Sequence, residues 1–249
     1  MRIDGTPILV SGASRGIGAA TVRHLAGRGA RVAMLARDGA ALEALAAETG
    51  ALALPCDVAD PAAVEDAVAR AAAAHGPAGG LVNNAGLIDP IARIEDADPA
   101  AWGRVVDVNL KGAFVLLRAV LPGMRARGEG VVVNLSSGAA TSALEGWSHY
   151  CATKAALLSL TRVADLEMAA AGVRVVGLSP GTVATAMQRS IAASGINPVS
   201  HLPWEAHIAP DAVAAAIAWL LVEGAARHGG GDFSLKSPEG RAEAGLPPL

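Results

Sequence analysis

Tyr150 is the only tyrosine in the chain, and Lys154, one of three lysines, follows it by four positions. On a helix that spacing sets both side chains on one face about a turn apart, an ammonium beside a phenol. Such a pair can move protons. Bringing a phenol from its ordinary pKa of about 10 to near neutrality takes roughly 4 kcal/mol. One cation at about 4 Å in an effective dielectric of about 20 supplies about that much. The competing reading is a tyrosine packed under a surface lysine, with no chemistry at all. The rest of the chain has to decide between them.

The elements that must hold the pair are written in the hydrophobic pattern. From residue 7 to about residue 235, short aliphatic runs alternate with long Ala-rich amphipathic stretches, the pattern of a parallel sheet with helical crossovers. The strand candidates are Pro7 to Val10, Arg31 to Ala36, Ala51 to Leu54, Gly80 to Asn83, Gly130 to Ser136, Val173 to Ser179 and a weaker run from Gly231 to Ser234. Asp60 with Pro61, Asp98 with Pro99, and Pro210 mark helix starts, and about six helices result. Nothing divides the alternation, so residues 1–249 are expected to form one α/β domain. Residues 182 to 208 lack a clean period and contain Gly195, Pro198 and Pro203, so they read as a mobile excursion. The tail from Ser237 is expected to be irregular and partly loose.

Composition narrows the function classes. With 52% hydrophobic and 17% charged residues, the chain is neither disordered nor built to wrap nucleic acid. A net charge of −3 gives no basic field for nucleic acid or an anionic membrane. Cys56 and Cys151 have no metal-ligand or C-x-x-C spacing and read as free thiols in a reducing compartment, with no metal site. The longest apolar run, Ala212 to Val222, is too short to span a bilayer, and no charged leader with an apolar core is visible. A cytoplasmic protein is expected.

After the first strand come Ser11, Gly12, Ala13, Ser14, Arg15, Gly16, Ile17 and Gly18, leading into a helix. Glycines at a strand-to-helix turn let backbone amides approach a pyrophosphate, and the helix start favours its charge. A tight turn with close helix packing would need the same glycines. In dinucleotide folds the second strand usually ends in an acid that binds the adenosine ribose, but here it ends Leu35-Ala36-Arg37. With no carboxylate at Ala36 and with Arg15 and Arg37 within reach, a 2′-phosphate would be accepted, so NADP(H) is expected over NAD(H). The adjacent Asp38 could compete if it turned inward.

These residues stand in a familiar order: Gly12-x3-Gly16-x-Gly18, Asn83-Asn84-Ala85-Gly86, Asn109, Ser137, Tyr150-x3-Lys154 and Pro180-Gly181. Over about residues 5 to 235 the chain resembles a short-chain dehydrogenase/reductase. The resemblance implies a Rossmann-like, doubly wound fold with a seven-stranded parallel sheet, and cofactor and substrate at the strands' carboxyl ends. It implies that Tyr150 is the general acid in reduction and that Ser137 hydrogen-bonds the substrate oxygen. Lys154 would lower the phenol's pKa and bind the nicotinamide ribose, and Asn109 would hold a water linking that lysine to solvent. Asp57 and Val58 would touch adenine, Asn83 would begin the loop over the adenosine ribose, and Ala85 and Gly86 continue it. Pro180, Gly181, Thr182, Val183 and Thr185 would hold the nicotinamide carboxamide.

Within the family, Trp147, Thr185-Ala186-Met187-Gln188 and the short ending are similar to the sepiapterin reductase and diketone (benzil) reductase branch. Met187, Ile191, Ile196, Leu202 and Trp204, with Ile88 and Trp147 opposite, would make an apolar lid and pocket for a small ketone or diketone, or merely pack the lid down. His149 would be turned roughly 100° from Tyr150, while His201 and His207 read as lid surface. Ser11 stands where threonine is usual, and the ending Gly229-Gly230-Gly231-Asp232-Phe233-Ser234 lacks the family's Val-Asp-Gly-Gly. That departure favours a homodimer, through the helices carrying Asn109 and Tyr150, over the family's common tetramer. The expected activity is NADPH-dependent reduction of a small carbonyl compound. An NADP-dependent alcohol dehydrogenase, a 3-oxoacyl thioester reductase and a catalytically silent NADP(H)-sensing protein are the alternatives.

Overall fold

The computed structural model describes residues 1–248. The strands are β1 (Pro7–Ser11), β2 (Arg31–Ala36), β3 (Leu52–Pro55), β4 (Gly80–Asn83), β5 (Gly130–Leu135), β6 (Val173–Ser179) and β7 (Asp232–Ser234). They form one parallel sheet in the order β3-β2-β1-β4-β5-β6-β7. Strand β1 pairs with β2 on one side and β4 on the other, so the chain changes direction of winding at that junction. A crevice opens at such a reversal, outside the carboxyl ends of the strands.

Both faces of the sheet are covered, which explains why the strands read as unbroken apolar runs. Ile8, Val10, Val131, Val133, Val176 and Leu178 point to one face, into a core shared with Val22, Leu25 and Ile217. Leu9, Val132 and Val175 point to the other, into a core with Leu116, Met124 and Met168. The first face is covered by α1 (Gly16–Ala26), α2 (Gly39–Thr49) and α8 (Pro210–Trp219), the last continued by a π turn and α9 (Ala225–His228). The second carries α3 (Pro61–His75), α4 (Pro99–Val106), α5 (Gly112–Arg127) and α6 (Ser148–Met168). Asp60 and Asp98 cap α3 and α4, each followed by proline in the first turn, as the sequence signals require. Between α4 and α5 the helix does not stop but widens into a π turn over Asp107–Lys111, which carries Asn109.

Two expectations are corrected here. The segment 182 to 208 is not without structure: it holds α7 (Ala186–Ser194) and 3-10 turns at Pro198–His201 and Trp204–Ala206. The helix escaped notice because only Gln188 and Ile191 are buried along it, too few for a period to show. The tail is not irregular either. Ser237 accepts a hydrogen bond from the Gly240 amide and starts α10 (Pro238–Glu243), whose Arg241 is buried and donates from Nε to the Pro247 carbonyl at 2.7 Å. Smaller shifts move β3 one residue later and begin β7 at Asp232. Among the described residues no helix is long and apolar enough to cross a membrane.

Candidate active site

The loop after β1 is tied to the end of β4 across the winding reversal. Ser11 Oγ accepts from the Asn84 and Ala85 amides at 3.0 and 3.1 Å, and Asn84 Nδ2 donates to the Ser11 and Gly12 carbonyls at 3.0 Å each. Gly12 has φ +63°, and a Cβ on it would lie 2.8 Å from Ala85 Cα. At Gly18 a Cβ would lie 2.2 Å from the Gly12 carbonyl oxygen. No side chain fits at either place, so bare backbone lines this part of the crevice.

That crevice is a cleft of about 740 Å³. Gly12, Ser14, Arg15, Gly16 and Ile17 form its first wall, with Arg37, Asp57 and Val58 beyond the ends of β2 and β3. Ala85, Gly86, Ser137, Tyr150 and Lys154 lie along its middle, and Pro180, Gly181, Val183, Thr185, Met187 and Trp147 close the far side. Arg15 and Arg37 are exposed at the rim. Asp38 accepts from the Ala41 amide at 3.0 Å, so its carboxylate caps α2. Asp57 accepts from the Ala59 amide and pairs with Arg104. Burial raises its carboxyl, but the Ala59 amide, Arg104 and Arg37 outweigh burial and hold it below the ordinary carboxylate range.

Six of the singled-out residues do not line the cleft: Gly18, Asn83, Asn109, Ile196, Leu202 and Trp204. Gly18 packs beneath the loop. Asn83 is buried and donates from Nδ2 to Asn134 Oδ1 at 2.9 Å, so its neighbour Asn84 meets the glycine loop instead. Asn109 is 1% exposed. Its Oδ1 accepts from the Leu87 amide, and its Nδ2 donates to the Leu87 carbonyl and to Thr153 Oγ1. That side chain is spent on holding the segment after β4 and the Tyr150 helix. Trp204 is 42% exposed and lies outside the cleft, stacked edge-on with His207 and covered by Arg189. His207 is correspondingly buried.

Tyr150 is in the first turn of α6 and Lys154 one turn on. Ser137 follows β5, accepts from the Ala139 amide at 3.2 Å, and lines the same cleft as the Tyr150 phenol, whose pKa its hydroxyl holds down. Trp147 stands edge-on to the phenol ring at 5.6 Å. His149 is fully buried on another side of the helix, its Nε2 2.7 Å from the Ile88 carbonyl. Lys154 Nζ is 5.5 Å from the Tyr150 ring centroid and donates to the Leu135 carbonyl.

The expected low phenol pKa is not what these side chains produce. Burial pushes Tyr150 up to about 12, against the opposing pull of the Ser137 hydroxyl. Burial also brings Lys154 down to about 8, against the charge of Asp232. The ammonium sits over the ring face, and burial weakens it as a charge in the same surroundings that raise the phenol. At neutral pH the phenol is therefore protonated and can donate. Asp232, a single acid in the short strand β7, accepts from Ser136 Oγ at 3.1 Å. Burial raises its pKa against Ser136, Lys154 and Arg162. Sequence reading passed over Asp232, Asn84 and the cleft-lining Lys236. An acid beside the buried Phe233 of that short strand was the available signal for the first.

A doubly wound parallel sheet with a side-chain-free loop at its winding reversal, and a Ser-Tyr-Lys cluster in the same cleft, defines a dinucleotide-dependent oxidoreductase. Residues 6–195 match the short chain dehydrogenase family, and the chain belongs to it, among oxidoreductases of alcohols and ketones that use a nicotinamide cofactor. It is 35% identical to D-threitol dehydrogenase of Mycolicibacterium smegmatis over 93% of this chain and 92% of that one. It is 42% identical to inactive 2-(S)-hydroxypropyl-CoM dehydrogenase 2 of Xanthobacter autotrophicus over 68% of this chain and 75% of that one. The crystal structure of the 3-ketoacyl-(acyl-carrier-protein) reductase of Brucella melitensis with NADH is similar at a TM-score of 0.83 and 30% identity, covering 94% of this chain and 97% of that one.

Proposed function

We propose that the protein is an NADPH-dependent reductase of a small, largely apolar ketone or diketone, with Tyr150 as proton donor. The reading rests on one observation: Ser137, Tyr150 and Lys154 line the same cleft as the glycine loop. The bare backbone at Gly12 and the helix start at Gly16 fit a pyrophosphate, and Arg15 and Arg37 fit a 2′-phosphate. When bound, the cofactor supplies a hydride. Tyr150 gives its proton to the substrate oxygen while the Ser137 hydroxyl donates a hydrogen bond to the same atom. Lys154 then stabilises the phenolate that is left. Trp147, Ile88, Leu144, Met187 and Ile191 surround the reacting group with apolar surface.

Loss of NADPH absorbance on mixing with a panel of ketones and diketones tests the reading, and Tyr150→Phe should bind cofactor yet lose at least about 10²-fold in turnover. Retained activity in that variant would reject Tyr150 as the donor. Arg37→Asp should weaken NADPH by about tenfold or more and spare NADH; equal wild-type affinities for the two would reject the cofactor preference. Oxidation of an alcohol by the same residues is the second reading, favoured by the D-threitol dehydrogenase relative.

A homodimer is proposed across α5 and α6. Phe114, Val163 and Leu166 are large apolar residues left exposed on these helices, Leu166 at 82%. Both helices connect parallel strands and run in the same direction, so a two-fold axis would bring Phe114 of one copy toward Leu166 of the other.

A further inference from the structure

The cleft has a second charged feature, at the end opposite the arginines. Lys236 follows β7 and lines the cleft. A Cβ at Gly138 would lie 3.1 Å from its Nζ, and a Cβ at Gly181 would lie 3.3 Å from its Cγ. The side chain thus spans from the loop after β6 to the residue next to Ser137. The Lys236 backbone is fixed from both sides: its amide donates to Ser234 Oγ at 3.2 Å, the preceding Leu235 is buried, and the following Ser237 caps α10. Its side chain is exposed and its ammonium makes no ion pair or hydrogen bond among the described residues, while Asp232 of β7 accepts from Ser136.

We infer that the Lys236 ammonium receives an anionic group on the substrate, so that the ketone is an oxo acid with an apolar body. The inference rests on the reductase reading and names the substrate class for that site. Of the other charges lining the cleft, Lys154 donates to the Leu135 carbonyl, Asp38 caps α2 and Asp57 pairs with Arg104, and the remaining ones lie toward other strands. The glycine loop and its arginines follow β1 and β2, and β1 is four places from β7, roughly 19 Å at about 4.8 Å per strand. The loop after β6 runs from Gly181, beside Lys236, to Thr185, against Gly16, so Lys236 stands at its far end from a phosphate at the glycine loop. Asp89, the acid exposed at this end, lies beyond β4, three places or roughly 14 Å away on the same scale. The walls between are Ile88, Leu144, Trp147 and Met187, which suit carbon chain and not charge. Gly138 directly follows Ser137, so the anion would sit only a few carbons from the reacting carbonyl.

The test compares 4-oxopentanoate and 5-oxohexanoate with their methyl esters, which keep the oxo chain and replace the carboxylate by a neutral, slightly larger group. In the wild type, kcat/KM for the better acid should exceed that for its ester by about fivefold, the scale of a partly exposed ion pair. Added salt should shrink that ratio. In Lys236→Gln the ratio should fall to about one, in Lys236→Glu it should invert, and Lys236→Arg should restore it. A wild-type ratio of one, or a ratio unchanged in Lys236→Gln, overturns the inference and leaves the reductase reading standing. Failure of the wild type to reduce acids, esters and the neutral diketones alike overturns the reductase reading, and the inference with it.

Discussion

Tyr150 and Lys154 are readable in sequence as a pair, but not the thermodynamic state in which the fold holds them. Burial lowers the Lys154 pKa from 10.5 to about 8 and raises that of Tyr150 from 10.0 to about 12. Below pH 8 the folded protein carries a desolvated ammonium at a cost of about 3 kcal/mol relative to the unfolded chain. Between pH 8 and 10.5 the unfolded chain holds the extra proton, so the cost is relieved and stability rises with pH. Above pH 10 Tyr150 acts in the opposite sense, because the folded chain keeps a proton the unfolded chain has lost. Urea unfolding of wild type and Lys154→Met should therefore differ by an amount that shifts in favour of wild type from pH 7.5 to 10, by up to about 3 kcal/mol. A difference flat with pH would mean that the ammonium is solvated. Asp232→Asn removes the charge that opposes burial of Lys154, so the same rise should begin at lower pH.

At the level of elements, the strands and most crossover helices were legible because each follows a local rule: unbroken apolar runs for two-sided strands, and Asp-Pro for helix starts. The turn carrying Asn109 obeys no such rule. Asp107 to Lys111 is ordinary helical sequence, and the π turn arises where Asn109 must bond Leu87 and Thr153 at once. That Asn84, and not Asn83, meets the glycine loop was hidden for a similar reason, since adjacent residues at a strand end face opposite ways and only the partner segment decides which one meets the loop. Lys236 was invisible because nothing in sequence says that β7 ends beside Ser137. The glycine loop, by contrast, is legible and testable. Gly18→Ala would force a Cβ against the Gly12 carbonyl, and should cost about 1–3 kcal/mol of stability. Differential scanning calorimetry should also show a smaller rise in Tm on adding NADPH than for wild type. An unchanged rise would mean that the loop yields without disturbing the cleft.

For the whole molecule, the apolar faces of α5 and α6 make association a prediction independent of catalysis. Leu166→Glu on the 82% exposed site should convert the wild-type dimer to a monomer in light scattering, with the fold retained. A wild type that is already monomeric at micromolar concentration would reject the dimer. The segment between β6 and α8 has a different relation to the whole. It leaves at Val183 and returns at Ile208, and these two residues pair with each other: Ile208 donates to the Thr182 carbonyl and Ala184 to the Ile208 carbonyl, both at 3.0 Å. Beyond the neck it is held by Asn197 Nδ2 on the Glu145 carbonyl and by Met187, Ile191 and Val199 packed against Ile88, Trp147 and Tyr150. A neck closed on itself makes the insert a cartridge. Its interior can be exchanged for that of another chain without renegotiating the sheet, so selectivity for the substrate can diverge while the Ser137, Tyr150 and Lys154 cluster stays fixed.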